Sequence, residues 1–470
     1  MKFTKMSLVA ALLIGSSAFA IDNVKVSGDA KLYYRTSDEK VTQGDGKVLE
    51  DGTLFNKDFA AGQAALGLGA TADLVSHVSA GVHATVLSTL GLENNLVSAT
   101  WAGNITPAGN TNGSGLQSSN GTAWWIDQAW IAGTFGKTTG KIGRMELDTP
   151  LAFTEKWNIA ENTFEAAVLI NQDIPDTTLV AAYVGGSNGD GDNTVANAQD
   201  GKTPFSGYTT FNSGVDDLLN TNGFGGAGAY AVGVVNNSFK PLTAQAWYYN
   251  VKEVAKAYWL QADYKSKAVP GLLAGAQYAN MKLNDTVTYV GGDTIDAAGA
   301  TTGNDNLNQT TDAYAFMLGY EMKDVATVKA AYSEVADDGV LTIQNTATGA
   351  QSKLYTEAWW NYGVVGQAGA KSYMLNATAT ADGVDFLAQY THADVDHKGL
   401  DGKAKGDEFA LTASKSFGPL DTTLAYVYSK ATNGNANANG KYNYIHGNAN
   451  NGADAEIKSN MIQAYLTLNF

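Results

Sequence analysis

Two strings in the chain have the glycine spacing of turns that carry chemistry. Gly185-Gly186-Ser187-Asn188-Gly189 matches the strained turn that presents a serine hydroxyl as a nucleophile, but that turn needs a strand passing directly into a helix. The text instead runs on into Asp190-Gly191-Asp192, so no serine hydrolase is read from it. Gly223-Phe224-Gly225-Gly226-Ala227-Gly228 has the spacing of a dinucleotide loop. Without a surrounding βαβ unit it cannot place a pyrophosphate on a helix N-terminus, and it reads as a loop returning to a strand. His77 and His83 share one strand face, but six residues at ~3.3 Å each set them ~20 Å apart, too far for one ion; both are expected in a lumen. His392, Asp394, Asp396 and His397 are denser and read as a solvated loop. The oxygen-rich Asp190-Gly191-Asp192-Asn193 suits calcium better than a transition metal, though the EF-hand spacing is not met. No catalytic residue is proposed.

Composition narrows the class. The 470 residues hold 46 acidic and 30 basic side chains, a net charge of −16, and no cysteine, which excludes disulfides, thiolate metal sites and a cysteine nucleophile. Only 16% of residues are charged, against about 25% in soluble proteins. The acidic balance argues against a nucleic-acid partner, since phosphate binding rests on Lys and Arg patches. At the start, Lys2 and Lys5 precede an apolar run and Ala18-Phe19-Ala20. Residues 1–20 therefore read as a signal peptide cleaved after Ala20, leaving 21–470 as one mature domain. No later run approaches the ~20 apolar residues of a helical span.

Beyond Ile21 the text is period-two almost throughout. Val24, Val26, Ala30, Leu32 and Tyr34 fall on one face of the first segment, and Lys25, Ser27, Asp29, Lys31 and Tyr33 on the other. Tyr258, Leu260, Ala262 and Tyr264 alternate likewise with Trp259, Gln261, Asp263 and Lys265. Eighteen such segments are read, from 24–35 to 457–470, most of ~9–12 residues, the length of a tilted strand crossing a bilayer. Long Gly-, Asn-, Asp- and Ser-rich gaps such as 89–122 and 186–226 alternate with tight turns such as 136–139 and 418–419. Short turns at one end and long loops at the other are the asymmetry of a transmembrane barrel. Tyr248, Tyr258, Tyr264, Tyr314, Tyr320, Phe409, Phe417, Tyr426 and Phe470 are candidates for its interfacial girdles. The last strand carries Ile462, Ala464, Leu466, Leu468 and the terminal Phe470 on one face. This resembles the signature that outer-membrane assembly machinery recognises.

The segment Asp127-Gln128-Ala129-Trp130-Ile131-Ala132-Gly133-Thr134-Phe135-Gly136, followed by Gly140-Lys141-Ile142-Gly143-Arg144, resembles the hairpin ahead of the constriction loop in general porins. With the N-terminal strand and the Phe end, the mature chain is similar in plan to the eighteen-stranded major outer membrane porins of epsilonproteobacteria, relatives of the OprD-type channels. That resemblance implies a homotrimer of water-filled barrels, each with its third loop folded into the lumen, and a family that can carry calcium near the constriction. Asp190 and Asp192 are the candidate calcium ligands here. The third loop would be residues 147–162, carrying Asp148, Glu155 and Glu161 against Lys156. Carboxylates there would favour cations, because low-dielectric walls focus their field. Facing basic groups would come from Lys31, Arg35 and Arg144, giving a field across the passage. Alternation places Arg144 with Ile142 on the lipid side, whereas the resemblance turns it inward, through a bulge at Gly143.

The reading is an all-β transmembrane antiparallel barrel of eighteen strands in a Gram-negative outer membrane. It would pass ions and small hydrophilic solutes passively, with a cation preference and no resident cofactor beyond possible calcium. Two alternatives stay open: a substrate-specific channel of the same architecture, and a secreted or surface-layer structural or adhesive β-protein.

Overall fold

The computed structural model describes residues 22–88, 90, 99–100, 116–117, 122–156, 159, 161–187, 209–210, 228–252, 254–284, 308–347, 351–362, 364–398, 403–432 and 455–470. Eighteen long strands make up the wall: β1 Asp22–Ser37, β2 Ala60–Val75, β3 Val78–Ser88, β4 Thr122–Phe135, β5 Thr138–Met145, β6 Phe164–Asn171, β7 Thr177–Ser187, β8 Ala229–Asn236 and β9 Leu242–Val251. The second half is β10 Ala255–Lys265, β11 Leu272–Leu283, β12 Thr310–Met322, β13 Ala326–Val335, β14 Ala370–Ala381, β15 Val384–Val395, β16 Ala404–Phe417, β17 Leu420–Thr432 and β18 Glu456–Asn469. Each pairs antiparallel with the next. β1 also pairs with β18 from Asp29↔Asn469 to Ser37↔Met461, so the sheet closes and neither the first nor the last strand is left as an unpaired edge.

Alternation sets the two faces as the sequence predicts. Leu32, Val82, Ile142, Tyr258, Phe316 and Leu318 point outward and are exposed, while Tyr33, Leu87, Met145, Trp259 and Ala315 point inward and are buried. The seam ends in a specific contact: the backbones of Gly28 and Phe470 exchange hydrogen bonds of 2.7 and 2.9 Å, and a Cβ on Gly28 would lie 2.5 Å from the Phe470 ring. Gly28→Val should therefore displace the ring and cost about 1–3 kcal/mol of overpacking. A lower temperature for loss of the compact band on gels would show it; an unchanged one would count against this seat.

Inside, the expectation of a water column lined throughout by the polar set needs correcting. Loop 7 (residues 336–369, between β13 and β14) also enters the barrel and meets loop 3 (146–163, between β5 and β6). Leu151 from loop 3 and Leu341, Ile343, Leu354, Val364 and Val365 from loop 7 form one apolar core with Trp247, Tyr249, Trp259, Met281 and Ala315 of the wall. The loops cover apolar inner positions of the wall such as Ala231, Ala257, Ala279 and Ala313, and buried polar ones such as Gln277, Ser333, Gln389 and Glu408. Burial of each large apolar side chain of that core contributes about 1.5–3 kcal/mol. The open space lies against the opposite wall, along β1, β3, β4, β17 and β18.

Candidate functional site

What the two loops leave open is an off-axis cavity of about 770 Å³. β1 supplies Asp29 and Lys31, β3 His83 and Thr85, and β4 Asp127 and Gln128; loop 3 adds Glu146, Lys156 and Glu161, and loop 7 adds Glu357, Trp359 and Trp360. Asp421, Thr423, Tyr465 and Thr467 complete the lining near the short-turn end.

Adjacent residues cannot normally share a strand face, yet Asp127 and Gln128 both reach the cavity. The reason is a register shift, in which His83 pairs with Gln128 and Ala84 with Ile126, leaving Asp127 as the extra residue of a bulge. Its carboxylate lies 2.8 Å from the His83 Nδ1 through either oxygen and accepts the Thr85 hydroxyl at 3.0 Å. The Thr163 hydroxyl donates to the Asp127 carbonyl at 2.8 Å and ties the end of loop 3 to the same point. On its other side the His83 Nε2 is 3.6 Å from Asp29. Gly67 leaves room for this array: a Cβ there would lie 2.5 Å from Asp29 Oδ1 and 2.8 Å from the imidazole.

Loop 3 carries a second charged group. Lys156 is 2.6 Å from Glu146 and 3.8 Å from Glu161, and Lys31 reaches Glu161 at 3.5 Å and Asp29 at 3.7 Å. The hydrogen bond to Glu146 holds the Lys156 amine charged to a higher pH than a free lysine. Basic and acidic groups are thus interleaved on one side of the passage, not opposed across it. Substituting Glu146 by Gln should loosen Lys156 and bring its pKa down towards the ordinary value, measurable by NMR titration of a labelled lysine.

The predicted residues divide by place. Lys31, Lys156 and Glu161 line the cavity. Asp148 is exposed and pairs with Lys353 of loop 7 at 2.5 Å. Glu155 is only 3% exposed; it accepts from Asn345 Nδ2 at 3.0 Å and the Gln351 amide at 3.1 Å, so it joins loop 3 to loop 7 and does not face the water. Arg35 sits beneath loop 7, 5.6 Å from the Trp360 ring centroid. Arg144 is a correction to the lumen expectation. It lies outside, on the face of Ile142, 2.9 Å from Glu165 and 3.0 Å from the Ile126 carbonyl. Alternation runs unbroken through Gly143, whose φ of 128° and close approach to the Ala129 carbonyl admit only glycine.

The remaining candidates also have positions. Ile462, Leu466, Leu468 and Phe470 stay on the outward face of the closing strand, where Leu466 pairs with Leu32 and Leu468 with Ala30. Asp190 and Asp192, with residues 1–21, lie outside the described residues. His392 faces outward between Asp394 and Asp407, whereas the buried His397 bonds to the Gly339 carbonyl at 2.8 Å. The two histidines do not converge, and no group of three or more potential metal ligands occurs among the described residues.

Two things escaped the sequence. Asp29 and His83 were legible as inward positions, but nothing local announces the bulge at Asp127. Nor does anything local in residues 336–369 announce that loop 7 enters the barrel. Its anchor is Glu408 on β16, whose carboxylate accepts the backbone amides of Trp359, Trp360 and Asn361 at 2.7, 2.9 and 2.7 Å. Gln277 on β11 adds a donor to the Lys353 carbonyl at 2.8 Å and an acceptor for the Tyr355 amide at 3.0 Å. The Tyr355 hydroxyl, its pKa raised by burial and by Asp263, donates to that carboxylate at 2.5 Å.

No family model matches the chain, and no curated protein matches it in sequence. Its fold is shared with solved structures. OccAB3 of Acinetobacter baumannii superposes with a TM-score of 0.62 at 13% identity, over 94% of this chain and 99% of that one. OccK8 (OprE) of Pseudomonas aeruginosa gives 0.62 at 14%, over 96% and 100%, and OpdQ of the same organism 0.58 at 14%, over 95% and 98%. At such identities the likeness is one of architecture: a closed eighteen-stranded antiparallel barrel, full length against full length.

Proposed function

We propose that the chain is an outer-membrane porin of a Gram-negative bacterium, a passive channel for small hydrophilic solutes and ions that prefers cations. The barrels whose architecture it shares are OprD/Occ-type porin channels, which supports a channel in general. The observation that carries the cation preference is the lining of the passage. Asp29, Asp127, Glu146, Glu161, Glu357 and Asp421 face it, against Lys31, Lys156 and His83. In a narrow passage with low-dielectric walls, an acidic excess raises the local concentration of cations and excludes anions.

Planar-bilayer recording tests both parts. Stepwise conductance is expected on insertion, and in a salt gradient a reversal potential of the sign for cation flow. A zero or anion-signed potential would remove the selectivity and leave the channel; failure to insert would remove both. A second reading, a substrate-specific channel, is favoured by the way loop 7 bounds the passage with Trp359 and Trp360. Saturable block of the current by one solute class would distinguish it from a general pore. The homotrimer, the calcium at Asp190 and Asp192, and recognition of the Phe470 end by the assembly machinery belong to the same proposal. Cross-linking, calcium-dependent melting and assembly of a chain lacking Phe470 are their respective tests.

A further inference from the structure

Seven side chains of the cavity form one unbroken chain in which acid and base alternate. Glu146 lies 2.6 Å from Lys156, Lys156 3.8 Å from Glu161, Glu161 3.5 Å from Lys31, and Lys31 3.7 Å from Asp29. The His83 imidazole continues it, 3.6 Å from Asp29 and 2.8 Å from Asp127. Neutral groups stand at both ends: the Gln128 side-chain amide donates to Glu146 at 3.1 Å, and the Thr85 hydroxyl to Asp127 at 3.0 Å. All of these residues line the same space.

Each base thus stands between two acids, and each inner acid between two bases. A charged solute would have to part such a pair to be held, leaving one member uncompensated in a confined space. A neutral solute need not. A carboxylate has more lone pairs, and an ammonium more protons, than these contacts use, and a hydroxyl both donates and accepts. A row of hydroxyls therefore meets alternating donors and acceptors without disturbing any pair.

The second surface is aromatic. Trp359 of loop 7 is half-buried: it packs against Trp360, Ala410, Val427 and Met461, Glu408 holds its backbone amide at 2.7 Å, and what stays open lines the cavity. An indole fixed in this way offers a flat apolar surface with little freedom left to lose on binding.

We propose that the cavity holds a neutral sugar, a mono- or disaccharide, with the C–H face of a pyranose ring on Trp359 and its hydroxyls along the chain from Glu146 to Asp127. This rests on the reading of the cavity as a solute passage and gives that reading's substrate-specific form a substrate class. The volume of about 770 Å³ falls within the range of small-ligand sites, about 300–1,000 Å³. The acidic excess of the lining acts on ions; an uncharged solute is held by contact and is indifferent to it. A sugar acid meets that excess as repulsion, and a flat cation suits Trp359 but finds a base beside every acid of the chain.

The experiment takes two readouts on the intact barrel. In a planar bilayer, maltose, the sugar acid made from it by oxidation, and L-arginine are added in turn; maltose should block the current saturably and at the lowest concentration. In an amine-oxide detergent, which unlike a maltoside does not compete, saturation-transfer NMR should show magnetisation passing from the protein to the ring C–H protons of maltose. Trp359→Ala should weaken the block about tenfold, and Trp359→Phe, which keeps a ring, should weaken it less. Because Trp359 also packs loop 7, K156M is the second variant: it takes the amine shared by Glu146 and Glu161 from an exposed side chain and should weaken the block severalfold. Block by the sugar acid or by L-arginine at a lower concentration than by maltose would overturn the class of solute, and undiminished block in both W359A and K156M would overturn the site. A cation-selective channel that maltose neither blocks nor contacts in the NMR experiment would refute the sugar and leave the pore. A barrel that fails to conduct, yet still passes saturation to maltose in the wild type and not in W359A, would refute the pore and leave the sugar site.

Discussion

Replacing Glu408 by alanine should release loop 7 and raise the unit conductance. The carboxylate collects three consecutive amides of the loop, and it is itself buried, at 4% exposure. Removing it strands three donors, each costing on the order of 1–3 kcal/mol when left unmet. The loop, once free, no longer presses Trp359 and Trp360 into the passage. Larger and noisier current steps are expected, together with faster tryptic cleavage after Lys353. A Glu408→Ala channel with the wild-type conductance and protease resistance would show that Gln277, Asp263 and the apolar core hold loop 7 without it.

The second large effect separates two carboxylates that the sequence places in one loop with one role. Glu161→Gln takes a charge from the lining and leaves Lys31 without one of its two acids. An ion passing about 5–10 Å away in water-like dielectric feels about 0.4–0.8 kcal/mol from one unit charge. With opposite signs for cation and anion, the selectivity ratio should fall severalfold and the reversal potential should move towards zero. Glu155→Ala should leave the reversal potential near its wild-type value, because that carboxylate is sealed between Asn345 and Gln351. Its cost falls on the seam between the loops and should appear as current noise. If Glu155→Ala changed the selectivity as much as Glu161→Gln, the assignment of the two residues would be reversed.

Much of the wall was readable beforehand because alternation is a local property. Once one face must meet lipid and the other must not, each side chain's orientation follows from that of its neighbour two positions away. Arg144 shows the strength of that rule. The period placed it beside Ile142, the resemblance turned it inward, and the structure follows the period, with Glu165 and a backbone carbonyl as its partners. Asp127 shows where the rule stops. One extra residue shifts the face of everything beyond it, and no residue type in that stretch marks the insertion.

The sequence by itself determined the number of strands, which side of most of them faces outward, and the acidic balance. These depend on spacing and composition, quantities the chain carries at every point. Tertiary structure alone decided that loop 7 joins loop 3 inside the barrel, that Glu155 becomes a buried acceptor while Glu161 meets the water, and that Asp29, His83 and Asp127 converge. Those contacts bring together residues up to about two hundred positions apart, such as Glu155 and Asn345. Which inward position is filled by a loop and which by water depends on where the loop lands, and no local period records that.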